Sequence, residues 1–148
     1  MLRDVEGNSF ATGCAVFTDT DLREMSPKIY DRIRPGNLVT PILAQLETGA
    51  AWSVLNAEIA RRIGVLDSQG ESLTLSTRTG KIDGTLVKAP ISLVADVGES
   101  LDLDATFFIS ADWRHGTFLE YSGLLEWIRL LSILTGTCST SDSTTVPR

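Results

Sequence analysis

Apolar and polar residues alternate with a period of two over much of the second half of the chain, and this pattern predicts strands. Leu73, Leu75 and Thr77 lead into a turn at Thr79-Gly80-Lys81, and Ile82, Leu86, Val87, Ile91, Leu93 and Val94 lead out. Two such runs about a glycine turn predict a β-hairpin. Pro90 predicts an edge or a bulge in its outgoing strand. Leu101-Asp102-Leu103-Asp104-Ala105, ending in Phe107-Phe108-Ile109, is another alternating run, with Asp102 and Asp104 on a solvated face. Upstream, an apolar run from Pro41 to Leu46 enters Glu47-Thr48-Gly49, and a second run from Trp52 to Leu55 leaves it. The order is strand, acid at a turn, strand. Asn56 then has the chemistry of an N-cap for a helix from Ala57 to Ile63, which Gly64 would stop.

The flanking segments are less regular. Residues 10–18 carry β-branched and aromatic residues and predict a first strand. Asp19 to Pro35 is charged and punctuated by Pro27 and Pro35, so it reads as a connection with at most a helical turn near Lys28 to Ile33. Residues 118–131 begin extended and turn helical, with Leu124, Leu125, Ile128, Leu131 and Leu134 at three- and four-residue steps. The organisation expected is an N-terminal extension over 1–37 with room for an extra strand, a folded domain over 38–134, and a disordered Ser/Thr-rich tail over 135–148.

Composition narrows the function classes. At 148 residues, 43% hydrophobic and 22% charged, the chain has what one globular domain needs to bury its own core. The net charge of −6, with Lys and Arg scattered, argues against nucleic-acid partners and against an anionic membrane surface. Apolar runs fall short of the roughly 20 residues that span a bilayer. Acids in the first seven residues argue against export, so a cytoplasmic location is expected. Cys14 and Cys138 are then expected as buried thiols. Two cysteines and one histidine are too few for a structural zinc site, and no metal or cofactor is expected.

Leu46-Glu47-Thr48-Gly49-Ala50 followed by Ser53-Val54-Leu55 resembles the first motif of the single-domain, retropepsin-like aspartic proteases, with glutamate in the place of their aspartate. Leu119-Glu120-Tyr121-Ser122-Gly123-Leu124-Leu125 resembles their second motif, except that Glu120 replaces its first glycine. The resemblance spans residues 38 to about 131. It implies an all-β fold, an acid-protease barrel of six or seven strands with a flap hairpin and one short C-terminal helix. It implies a homodimer, because a chain with one acid-Thr-Gly motif can pair two acids only across a two-fold axis. It also implies a peptide or protein substrate bound as a strand. The catalytic residues would be Glu47, Thr48 and Gly49. Ala50, Ala51, Thr79, Gly80 and Lys81 would line the substrate.

Glutamate has the charge for this chemistry but an extra methylene. A carboxyl group displaced by roughly 1 Å can lose about 10²-fold in rate, so weak activity or none is expected. The alternative is a non-catalytic relative that binds peptides or serves in dimerisation. Glu120 reads as a solvated or ion-paired loop residue, and Ser53 as capping or packing beneath the turn. Asp112-Trp113-Arg114-His115 reads as a surface turn, since His115 has no serine or cysteine elbow to work with.

Overall fold

The computed structural model describes residues 28–47, 49–78 and 80–125. The strand expected over 10–18, the C-terminal helix beyond Leu125, the tail and both cysteines lie outside the described residues. Seven strands and one helix follow in the order β1 (Ile29–Pro35), β2 (Ile42–Leu46), β3 (Ser53–Val54), α1 (Ala57–Arg62), β4 (Glu71–Thr77), β5 (Gly80–Leu93), β6 (Leu101–Ile109) and β7 (Thr117–Leu119).

The sheet closes on itself. Its order is β1-β2-β7-β3-β6-β5-β4, and β1 also pairs with β5, so six strands form a ring and β4 hangs outside it. Closure removes the open edges that a flat sheet would leave. Inside the ring lie Ile33, Ala44, Leu55, Val87, Ala89, Ile91, Ala105, Phe107, Ile109 and Leu119, all buried. On β5 and β6 these residues recur at every second position, which is the alternation legible in the sequence.

One segment differs from expectation. Residues 29–35 form β1, not a connection with a helical turn, and pair with β2 (Ile33↔Ile42) and β5 (Ile33↔Leu93). Its period is present, with Asp31, Ile33 and Pro35 buried and Arg32 and Arg34 exposed. An acid at one inward position and prolines at both ends disguised it. Asp31 is held there by the Arg32 N–H at 2.7 Å, and burial pushes its carboxyl above the ordinary range.

The hairpin forms as the alternation predicts, but its turn lies one step earlier. Thr77 pairs with Gly80, so Gly80 and Lys81 belong to β5 and not to the turn. Pro90 makes no bulge: the register with β6 runs unbroken through Ala89↔Ala105, Pro90↔Asp104 and Ile91↔Leu103. Pairing of β5 with β1 ends at Pro35↔Ile91, and just beyond it the Pro90 carbonyl accepts the Gly36 N–H at 2.8 Å, a bond that asks nothing of the missing proline N–H. Beyond Thr85, the last β5 residue paired to β6, the hairpin continues as a two-stranded ribbon that leaves the ring.

Helix α1 starts where Asn56 Oδ1 accepts the N–H groups of Glu58 (2.9 Å) and Ile59 (3.3 Å). Its Nδ2 donates to the His115 carbonyl at 2.6 Å, and the Ala57 N–H donates to the Trp113 carbonyl. Trp113 packs edge-on against both His115 and Phe118. The 112–116 turn is therefore a brace between the helix start and β7, and His115 has a structural task. No helix among the described residues is long and apolar enough to cross a membrane.

Candidate active site

The acid turn is positioned by an interruption in strand order. β2 runs into it and β3 runs out, yet the two are not neighbours, because β7 lies between them, parallel to β2 and antiparallel to β3. The turn must therefore span two strand spacings, roughly 10 Å. The end of β7 arrives directly beneath it. Leu46 pairs with Leu119, and the Glu47 N–H donates to the Leu119 carbonyl at 2.9 Å. The next residue on each strand is a glutamate.

These two acids meet different surroundings. Glu47 is exposed, and its Oε2 accepts a long hydrogen bond from Gln45 Nε2 at 3.4 Å. Its Oε1 lies 3.3 Å from where a Cβ on Gly49 would stand, so the carboxylate folds back over its own turn. Any side chain at position 49 would press on it. Glu120, by contrast, is 2% exposed. Its Oε2 accepts the Ala50 N–H at 3.2 Å, and its own N–H donates to Ser53 Oγ at 2.9 Å. Ser53 is fully buried at the start of β3. Burial, outweighing the Ala50 N–H, and the nearby charge of Glu47 push the Glu120 carboxyl up to about 7.

The expected site residues divide accordingly. Glu47, Gly49, Ala50 and Ala51 share one exposed turn, while Thr48 lies outside the described residues. Gly80 and Lys81 are exposed on the ribbon, a separate element joined to the ring through β5, and Thr79 lies outside the described residues. The reading of Glu120 as a solvated loop residue is corrected. A carboxyl group buried beneath a turn must find a polar partner, and the Ala50 N–H supplies it. The departure of Glu120 from the motif it resembles was the signal in the sequence. Ser53 does pack beneath the turn. Among the described residues no three His, Cys, Asp or Glu side chains are grouped to hold a metal.

The fold has a solved counterpart. The crystal structure of a retropepsin-like aspartic protease from Rickettsia conorii superposes with a TM-score of 0.55, covering 75% of this chain and 88% of that one at 18% identity. No protein-family model and no curated protein matches the chain. The fold is therefore a retropepsin-like all-β barrel, as the two motifs implied.

The second motif is held as firmly as the first. Trp52 bridges to Ser122, and Gly123 accepts the Thr106 N–H on its carbonyl at 3.0 Å. Gly123 has φ +79, and a Cβ there would lie 2.7 Å from Thr106 Cβ. Gly123→Ala thus combines a left-handed backbone with a clash, each worth roughly 1–2 kcal/mol. We expect a loss of about 2 kcal/mol, read as a lowered urea midpoint at unchanged m-value.

Proposed function

We propose that the chain is a retropepsin-like aspartic endopeptidase that works as a homodimer, with Glu47 of each protomer meeting at the two-fold axis. The observation that carries this reading is the exposed Glu47 turn, fastened to Leu119 on a barrel of the protease fold. Two carboxyl groups in contact share one proton, since both cannot ionise side by side. The ionised member takes a proton from water as the water oxygen attacks the peptide carbonyl carbon. The protonated member gives its proton to the carbonyl oxygen. Collapse of the resulting diol breaks the C–N bond, and a carboxyl group supplies the proton that leaves with the amine. Thr48 hydrogen-bonds across the pair in this reading. Ala50 and Ala51 leave room for an extended peptide, and the ribbon carrying Thr79, Gly80 and Lys81 closes over it.

Because each acid is one methylene longer than aspartate, we expect cleavage to be slow. Glu47→Asp shortens the side chain and should raise kcat/KM by about 10²-fold, while Glu47→Ala should abolish cleavage. A peptide library digested between pH 3 and 8 with the three proteins side by side tests this. Product in the alanine variant equal to that in the others would sink the assignment of Glu47.

A second reading has its own observation. Both positions at the floor of the turn hold glutamate, so the same dimer would serve as a peptide-binding or dimerisation module without turnover. No cleavage by any of the three proteins, with dimers in sedimentation equilibrium and a retained peptide, would favour it.

A further inference from the structure

Glu120 is the buried group that the acid-pair chemistry leaves without a task. β7 threads between the arms of the acid turn and sets Glu120 one residue beyond Leu119, as Glu47 stands one beyond Leu46. Both carboxylates address the same short stretch of backbone. Glu47 Oε1 lies over Gly49, and Glu120 Oε2 takes the N–H of Ala50, the next residue. One acid is exposed and the other is out of water.

Burial penalises the charged form of the buried member, and the neighbouring like charge penalises it further, so that member favours its protonated form. A neutral carboxyl can still accept the Ala50 N–H through its carbonyl oxygen; an ionised one accepts it more strongly. We propose that Glu120 is a positioning residue that makes the acid turn proton-sensitive, holding Ala50 without adding charge while protonated, and setting a second negative charge beneath Glu47 when it ionises. The groups that face its carboxyl are the Glu47 carboxylate and the Ala50 N–H on the turn, while the uncharged Ser53 hydroxyl on β3 accepts its backbone N–H. Burial and the Glu47 charge outweigh the Ala50 N–H, which places its ionisation at about 7. The turn therefore changes state near neutrality, where ordinary carboxyl groups are already ionised.

The contact of Glu120 with the turn stands on geometry and its ionisation near neutrality on burial and the Glu47 charge; its effect on cleavage rests on the protease reading. The test is carbon and nitrogen NMR of the full chain labelled at glutamate and alanine, from pH 4 to 9. The Glu120 Cδ signal should inflect near about 7, with the Ala50 amide moving in step. Glu47→Gln removes the neighbouring charge and should draw that inflection to lower pH. Glu120→Gln keeps an oxygen for the Ala50 N–H and should erase the inflection at Ala50. A Glu120 signal titrating with ordinary carboxyl groups near about 4.3, or an Ala50 amide flat from pH 5 to 8, would overturn the proposal. If Glu120→Gln does not fold, the wild-type and Glu47→Gln titrations decide alone. None of these readouts needs turnover, so a chain that never cleaves still tests the coupling. If it does cleave, the pH–rate profile should carry an inflection near about 7 that Glu120→Gln lacks. Superimposable profiles would reject the effect on catalysis and leave the protease reading standing.

Discussion

Phe107→Ala will lower the stability of the domain by about 3–5 kcal/mol, the cost of removing a fully buried aromatic side chain and leaving a cavity. Phe107 is 0% exposed on β6, registered opposite Ser53 on β3 and Val87 on β5. Both neighbouring strands must be in place around it, so the ring cannot relax into the space. A small domain holds only about 5–15 kcal/mol in total, and the variant should be near its threshold at 37 °C. Urea unfolding followed by tryptophan fluorescence measures this. Leu101→Ala, at the 45% exposed start of the same strand, should cost under about 1 kcal/mol. Equal losses for the two would mean that β6 is not the packed centre of the ring. The effect would reach the site as well. β6 holds β3 in register, and β3 carries the Ser53 hydroxyl that receives the Glu120 N–H.

The parts of this fold that were legible in the sequence are those whose pattern is local. The alternation over 71–95 and 101–109 became β4, β5 and β6: on β5 and β6 one face turns to the core, and on β4, outside the ring, alternate side chains are half-buried. Asn56 became a cap because its side chain reaches N–H groups two and three residues on. The hairpin turn was misplaced because Gly80 drew attention as a turn residue, whereas it sits in β5 at φ +134, a conformation that glycine adopts freely. β1 was hidden because its inward position 31 is an acid, which breaks the apolar rhythm.

Glu120 illustrates what no local pattern carries. Its burial depends on β7 passing between β2 and β3, and its partner Ala50 is 70 residues away. A parallel strand inserted between the two arms of a turn leaves no mark on the spacing of apolar residues in either. The motifs located both loops, and only the pairing brought them together. The acid turn itself was legible for the opposite reason: its strands and its glycine are contiguous, and the protease fold they implied is the one observed.

The same burial makes stability fall as the pH rises, opposite to the trend most carboxyl groups impose. In the unfolded chain Glu120 ionises near the ordinary value of 4.5, and in the folded chain at about 7. Between those values the folded state binds more protons than the unfolded state, so raising the pH favours unfolding. The contribution is fully present below about 4.5, is lost progressively up to about 7 and changes no further above that. The shift corresponds to at most roughly 3–4 kcal/mol, at about 1.4 kcal/mol for each unit. Asp31, also raised by burial, adds a slope of the same sign, which Asp31→Asn removes separately. In the Asp31→Asn background, urea midpoints taken from pH 4 to 9 should therefore decline until about 7 and then level. Adding Glu120→Gln should flatten that curve and leave the protein more stable than its parent at pH 8, because an amide oxygen takes the Ala50 N–H without a buried charge. Parallel curves for the two proteins would show that Glu120 ionises in the folded state as it does in the unfolded one.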